Sequence, residues 1–353
     1  MNKFKFLILA LLVSFQGVAQ TFSVDADRLI TKVFEENGSG GIALVVKEGN
    51  VLYRKAFGMA DMELQVKMTP NNIIRIGSIS KQFTASAILK LMEEGKLTLQ
   101  DQITKYIPDY PTKGHAITIE HLLTHTSGIK DFTQMKTWTS DLKKMQYSPK
   151  EKIDFFKNEP MDFAPGENYK YNNSGYVLLG YIIEVVSKMK YAEYIDTYFF
   201  KPLKMNNSFY GSTSNIIKNR AKGYKKQNRT YKNADFLDMS NPYAAGALIS
   251  NVDDLYAWNN AVLNYKVLSK ASLKKAHSPY RLNNGKYTQY GYGWNVQDIE
   301  NNSAISHSGG ITGFLTFSLY LPEKDIFVAV FSNCTCKNPR QTAINLTKLA
   351  LNN

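Results

Sequence analysis

Apolar residues recur at helical spacing near the start of the chain, where Leu29, Ile30, Val33 and Phe34 mark one face of an amphipathic helix over 24–37. Gly38-Ser39-Gly40-Gly41 breaks that period. The run Ile42-Ala43-Leu44-Val45-Val46 is then short, apolar and rich in β-branched residues, as in a strand. Gly49-Asn50 is a turn signal, and Val51-Leu52-Tyr53 reads as the return strand of a hairpin. A second apolar segment, Ile73-Ile74-Arg75-Ile76, runs into a helical stripe formed by Phe83, Ala87, Ile88, Leu91 and Met92.

From there to about residue 240 the pattern is mostly helical. Helices are predicted at 79–94, 118–124, 150–157, 174–188 and 191–199, with Pro108, Pro111, Pro149, Pro160, Pro165 and Pro202 marking the loops. After Asn241-Pro242 comes a helix at Val252–Leu263, whose Asp253 and Asp254 suit its first turn. Strand signals follow at Tyr290–Val296, Ala304–Ser308, Gly313–Leu321 and Ile326–Ser332, with a turn at Glu323-Lys324-Asp325 and a closing amphipathic helix at Arg340–Leu351. Strands at both ends with helices between them predict an α+β fold: one sheet built from the two chain ends, flanked by helices, with a mostly helical lobe inserted. The corresponding boundaries are 20–77 for the first part of the α/β lobe, 78–240 for the helical lobe and 241–353 for the second part. No repeat or low-complexity linker interrupts this order.

Residues 1–19 read as a secretory signal: Lys3 and Lys5 are the positive region, Leu7 to Phe15 the apolar core, and Gly17-Val18-Ala19 the small-residue cleavage site before Gln20. The apolar run is shorter than the roughly 20 residues a spanning helix needs. The mature chain is therefore expected in the periplasm or outside the cell, with no transmembrane segment. The 353 residues, 44% of them hydrophobic, are enough for one large domain. The net charge of +13 falls to +11 without Lys3 and Lys5, and export argues against nucleic acid as the reason for it. Lys218 to Lys232 holds seven basic residues and no acid, and is read as a solvated loop. Cys334 and Cys336 are separated by one residue, a demanding span for a bridge, so both are read as free or structural.

The candidate chemistry centres on Ser78 and Lys81. At the start of a helix these share a face, with Cβ atoms roughly 5–6 Å apart. The pair supplies a nucleophile and an amine base where unpaired backbone N–H groups can hold an oxyanion. Ser-x-x-Lys also occurs at Ser127/Lys130, Ser140/Lys143, Ser187/Lys190 and Ser272/Lys275, so spacing alone does not select it. Two further motifs do. Tyr171-Asn172-Asn173 leads into an apolar helix, offering a phenol that can share a proton with a lysine and an amide that can hold a carbonyl. His307-Ser308-Gly309-Gly310 ends a strand, where consecutive glycines admit a ligand and a backbone N–H can complete an oxyanion hole. His121 and His125, four apart with no third ligand in evidence, are read as structural. No Gly-x-Ser-x-Gly elbow occurs, which disfavours an α/β-hydrolase. No motif calls for a cofactor or a metal.

In order and separation, Ser78-x-x-Lys81, Tyr171-x-Asn173 and His307-x-Gly309 resemble the active-site elements of the serine β-lactamase and penicillin-binding-protein superfamily. The likeness is to the branch with class C β-lactamases, D-alanyl-D-alanine carboxypeptidases and family VIII esterases. Leu122 to Gly128, Asn173-Ser174-Gly175-Tyr176, Ala245 to Ser250 and Tyr290 to Trp294 extend it. The resemblance implies a β-lactamase/transpeptidase-like fold and an exported serine hydrolase acting on a small-molecule or peptide substrate, peptidoglycan fragments included. It implies Ser78 as the acylated nucleophile, Lys81 with Tyr171 as general base, and Asn173, His307, Ser308 and Gly309 as substrate contacts. It also implies an oxyanion hole from the backbone N–H groups of Ser78 and Gly310. His307 stands where class C enzymes carry a lysine, and a histidine is mostly neutral at pH 7. That shifts weight from a true β-lactamase to a peptidase or esterase; a penicillin-binding protein without turnover is the non-enzymatic alternative.

Overall fold

The computed structural model describes residues 22–352. The expected leader, 1–19, lies outside the described residues. Six strands form one antiparallel sheet: β1 (Gly41–Lys47), β2 (Asn50–Phe57), β3 (Asn295–Ile299), β4 (Asn302–Ile311), β5 (Phe314–Leu321) and β6 (Ile326–Ser332). Their order is β3-β4-β5-β6-β1-β2, so the first strand pairs with the last, Gly41 opposite Ser332 and Lys47 opposite Ile326. The sheet is built from both chain ends, as the pattern predicts.

Five helices position what matters for function: α1 (22–31), α2 (Ser80–Glu93), α3 (Asn173–Ser187), α4 (Val252–Leu263) and α5 (Pro339–Asn352). One face of the sheet, with Ala43, Val45, Phe317, Leu319, Val328 and Val330, packs under α1 and α5. The opposite face, with Ile42, Leu44, Val46, Phe327, Ala329 and Phe331, joins a larger core shared with α2, α3 and α4. Burial on both faces explains why β1 and β6 read as continuous apolar runs rather than alternating ones. Helix α2 is enclosed along most of its length, and its Phe83 stacks on Trp258 of α4 with ring centroids 3.9 Å apart.

Several expectations change. Helix α1 ends at residue 31 rather than 37, because Val33 N and Phe34 N both bond to Ile30 O in a tight turn. Phe34 then folds inward over Gly41, where a Cβ would lie 2.3 Å from its ring. The basic stretch is a hairpin, not a loop, with Tyr224–Gln227 paired to Thr230–Asn233. Much of its charge is paired: Lys222 bonds to Glu63, and Lys225 lies 2.6 Å from Asp235. Within the mostly helical 78–240, Phe209–Tyr210 joins Leu248–Ser250 and Ile74–Arg75 in a second small sheet that no period announced. Tyr290 makes only an isolated bridge to Asn295, residues 292–294 bend, and the strand begins at Asn295. The cysteines are not free. The chain bends sharply after β6, bringing the Cα atoms of Cys334 and Cys336 to 5.1 Å, within disulfide reach, and the two are bonded.

Candidate active site

Ser78 sits in a single turn, Gly77–Ile79, between the strand Ile74–Arg75 and α2. The turn needs Gly77, whose φ is +54° and whose Cβ would lie 2.9 Å from Gly310 N. That close approach sets the backbone of Ser78 beside the end of β4. Gly309 is equally constrained, since a Cβ there would lie 2.0 Å from Ile76 O. Gly309 is buried against this strand and does not line the cavity, whereas His307, Ser308 and Gly310 do.

Asn172 caps α3, accepting from Gly175 N at 2.7 Å and donating through Nδ2 to Ile129 O. Its own backbone N–H donates to His125 Nδ1 at 3.0 Å. This cap fixes Tyr171 and Asn173 on either side of it. All three motifs converge on one cavity of about 620 Å³, which Ser78, Tyr171, Asn173 and His307 line together with Phe132 and Trp138.

Lys81 is fully buried. Its Nζ lies 3.1 Å from Ser78 Oγ, 2.9 Å from Asn173 Oδ1 and 2.8 Å from Ala245 O. An ammonium has three N–H donors and satisfies all three acceptors. A neutral amine keeps two donors, for Asn173 and Ala245, and turns its lone pair to Ser78 Oγ. Burial lowers the amine to about 7, opposed by the charge of Asp131. Lys81 is thus poised to take the serine proton near neutral pH.

The Tyr171 hydroxyl is buried and makes no hydrogen bond of normal geometry. Burial raises the phenol well above its ordinary value, and Ser78, its polar neighbour, opposes the rise. Tyr171 is therefore a neutral phenol, and Lys81 Nζ lies 4.8 Å from its ring centre. His307 is also neutral: burial first, then the Lys81 charge, lowers it to about 3. Its Nδ1 bonds to Ser308 O at 2.6 Å and its Nε2 to Tyr290 Oη at 2.9 Å. A carbonyl only accepts, so Nδ1 carries the proton and Nε2 accepts from Tyr290. No imidazolium faces the cavity.

Two contributors escaped the sequence. Asp131, buried, accepts from Asn173 Nδ2 at 3.2 Å and so turns the amide oxygen toward Lys81. The carbonyl of Ala245 has no side-chain signature. His125, expected to be structural, accepts from the backbone of Asn172, and its ring centre lies 4.3 Å from that of Tyr171. His121 caps its own helix through Thr118. Among the described residues, no cluster of His, Cys, Asp and Glu suits a metal ion, and no helix is long and apolar enough to cross a membrane.

This fold and this set of groups define a serine β-lactamase and penicillin-binding-protein scaffold. Residues 26–352 match the Beta-lactamase family, and the chain belongs to it. It is 35% identical over 300 residues to a penicillin-binding protein of Bacillus subtilis (strain 168), covering 81% of this chain and 66% of that one. It is 31% identical to Protein flp of Staphylococcus aureus (strain N315), covering 88% of this chain and 63% of that one. The chain thus spans about two thirds of the length of these relatives. Among solved structures, the octameric penicillin-binding protein homologue from Pyrococcus abyssi superposes with a TM-score of 0.79 at 31% identity, over 95% of this chain and 77% of that one.

Proposed function

We propose that this protein is an exported serine hydrolase that cleaves an amide, peptide or ester bond through an acyl-enzyme on Ser78. The single observation that carries this reading is the Lys81 amine, 3.1 Å from Ser78 Oγ and lowered to about 7 by burial. In the first step neutral Lys81 takes the Ser78 proton while Oγ bonds to the substrate carbonyl carbon. The resulting oxyanion is stabilised by the N–H groups of Ser78 and Gly310. As the intermediate collapses, the leaving amine or alkoxide receives a proton, from Lys81 directly or through the neutral Tyr171 phenol. Water then attacks the acyl carbon, gives its proton to the same pair, and releases Ser78. Asn173 and Ser308 hold the substrate amide or ester.

The neutral, doubly bonded His307 supports a peptidase or esterase over a dedicated β-lactamase, because it offers no fixed cation to a β-lactam carboxylate. The names of the relatives support penicillin as a covalent probe, and export makes peptidoglycan-derived peptides reachable. Intact-mass spectrometry after a fluorophosphonate or penicillin tests the reading. One adduct is expected, lost in Ser78→Ala; an equal adduct on that variant overturns it. Rapid turnover of a chromogenic cephalosporin would instead assign a β-lactamase.

A further inference from the structure

Arg75 lies three residues before Ser78, on the strand that delivers it. Its neighbours Ile74 and Ile76 are buried in the core, so alternation sends the Arg75 side chain to the other face. There it lines a second cavity of about 320 Å³. Arg220 lines the same cavity, its backbone bridged to Ile73 two residues upstream of Arg75. This cavity adjoins the catalytic one, for Leu237 and Thr312 are walls of both.

Among the described residues neither guanidinium group reaches ion-pair distance of a carboxylate; Asp235, also on the cavity wall, is taken up by Lys225, and Asp61 and Glu63 by Lys222. Arg220 Nη1 donates to Ser212 O at 2.6 Å, and Arg75 lies 5.8 Å from the Phe314 ring centre. Asp238 acts on Arg75 without reaching ion-pair distance. Burial first, then the charge of Arg220, lowers Arg75 to about 10, so it stays charged at pH 7. Two planar cations on the wall of one cavity, near enough for each to feel the other's charge and with Phe314 beneath Arg75, match an oxyanion that accepts from both. Their cavity also supplies the charge that neutral His307 does not.

The geometry points to an anion subsite at Arg75 and Arg220 that receives a carboxylate carried on the substrate, some distance from the bond attacked by Ser78. This rests on the hydrolase reading above. The test uses 4-nitrophenyl esters whose acyl chains, of graded length, end in a carboxylate or in the matching carboxamide. At one chain length the wild type is expected to prefer the carboxylate in kcat/KM by about tenfold or more. The ratio should fall to near one in Arg220→Gln, whose exposed side chain is not needed for folding, and in Arg75→Gln. No preference at any length overturns the subsite, as does a preference that survives both substitutions. So does a preference lost only in Lys143→Gln, the lysine on the wall of the catalytic cavity. Fluorophosphonate labelling of Ser78 separates the two readings. A labelled enzyme without charge preference sinks the subsite alone. An unlabelled wild type sinks the hydrolase reading, and calorimetric titration with glutarate then decides the subsite, since equal binding by wild type and Arg220→Gln removes it.

Discussion

Lys81 Nζ and Asn173 Oδ1 lie 2.9 Å apart across the contact between α2 and α3. The amide presents its oxygen there because its Nδ2 is engaged by Asp131 Oδ2 at 3.2 Å and Thr133 Oγ1 at 3.3 Å. Asn173 thus orients the amine without adding a charge, and the nearest acid acts one residue further out. This arrangement keeps Lys81 titratable near neutrality while holding it in line with Ser78.

Asp131 opposes the fall of the Lys81 amine to about 7. A general base works deprotonated, so kcat/KM should rise as pH passes upward through about 7. In Asp131→Asn the opposing charge is gone, the amine falls further, and the acid limb should move to lower pH by about half a unit or more. A pH–rate profile with a neutral ester checks this. A limb that stays in place, or moves upward, rejects Asp131 as the group that sets the amine.

Tyr171 separates catalysis from stability. Its buried hydroxyl makes no hydrogen bond of normal geometry, so Tyr171→Phe removes a polar atom that folding does not use. Thermal unfolding should be unchanged or slightly raised. If the phenol relays a proton, kcat should fall by about 10²-fold or more. An enzyme that melts early and keeps its kcat would show the opposite arrangement.

The candidate groups that line the cavity were legible in the sequence where they are side chains in short motifs. Ser78 and Lys81 share a helix turn, but that spacing recurs four times elsewhere; the order of Ser78-x-x-Lys81, Tyr171-x-Asn173 and His307-x-Gly309, and its resemblance to a known family, selected them. Ala245 contributes only its carbonyl, which every residue possesses. Asp131 is a single acid after a loop, and only long-range packing brings it to Asn173. The same limit governed the fold. Continuous apolar runs exposed β1 and β6, but the three-residue strand Leu248–Ser250 and the hairpin at 224–233 are too short or too polar for a period to register. The Cys334–Cys336 bridge depended on a sharp bend that residue spacing does not reveal.

Gly309 and Gly310 predict opposite outcomes from one substitution. A Cβ on Gly309 would lie 2.0 Å from Ile76 O and 2.1 Å from Thr316 Oγ1, forcing β4 away from the strand that delivers Ser78. Gly309→Ala should cost about 1–3 kcal/mol in denaturant unfolding and lower kcat. A Cβ on Gly310 meets only Leu315 Cδ2, at 3.4 Å, so Gly310→Ala should stay within about 1 kcal/mol of wild type. Equal destabilisation by the two would mean that β4 is not held against Ile76.

Lys152 stands behind the cavity wall, almost completely buried, with Nζ 3.3 Å from the Trp138 ring centre and 3.9 Å from that of Phe132. Among the described residues its hydrogen-bond partner is Asn241 Oδ1, at 3.3 Å. Burial lowers this amine from 10.5 to about 6, although the ring faces favour its charged form. Between those two values the unfolded chain binds a proton at Lys152 that the folded chain does not. Stability from this group therefore rises with pH across that window, by about 1.4 kcal/mol per unit, and is lost as pH falls toward 6. Lys152→Met keeps the ring contacts and removes the desolvated amine. The variant should be more stable than wild type at pH 7, and its advantage should shrink steadily by pH 9.5. Urea unfolding at the two pH values measures both. An advantage of the same size at each pH, or a loss at pH 7, would show that the aromatic cage holds Lys152 as a cation.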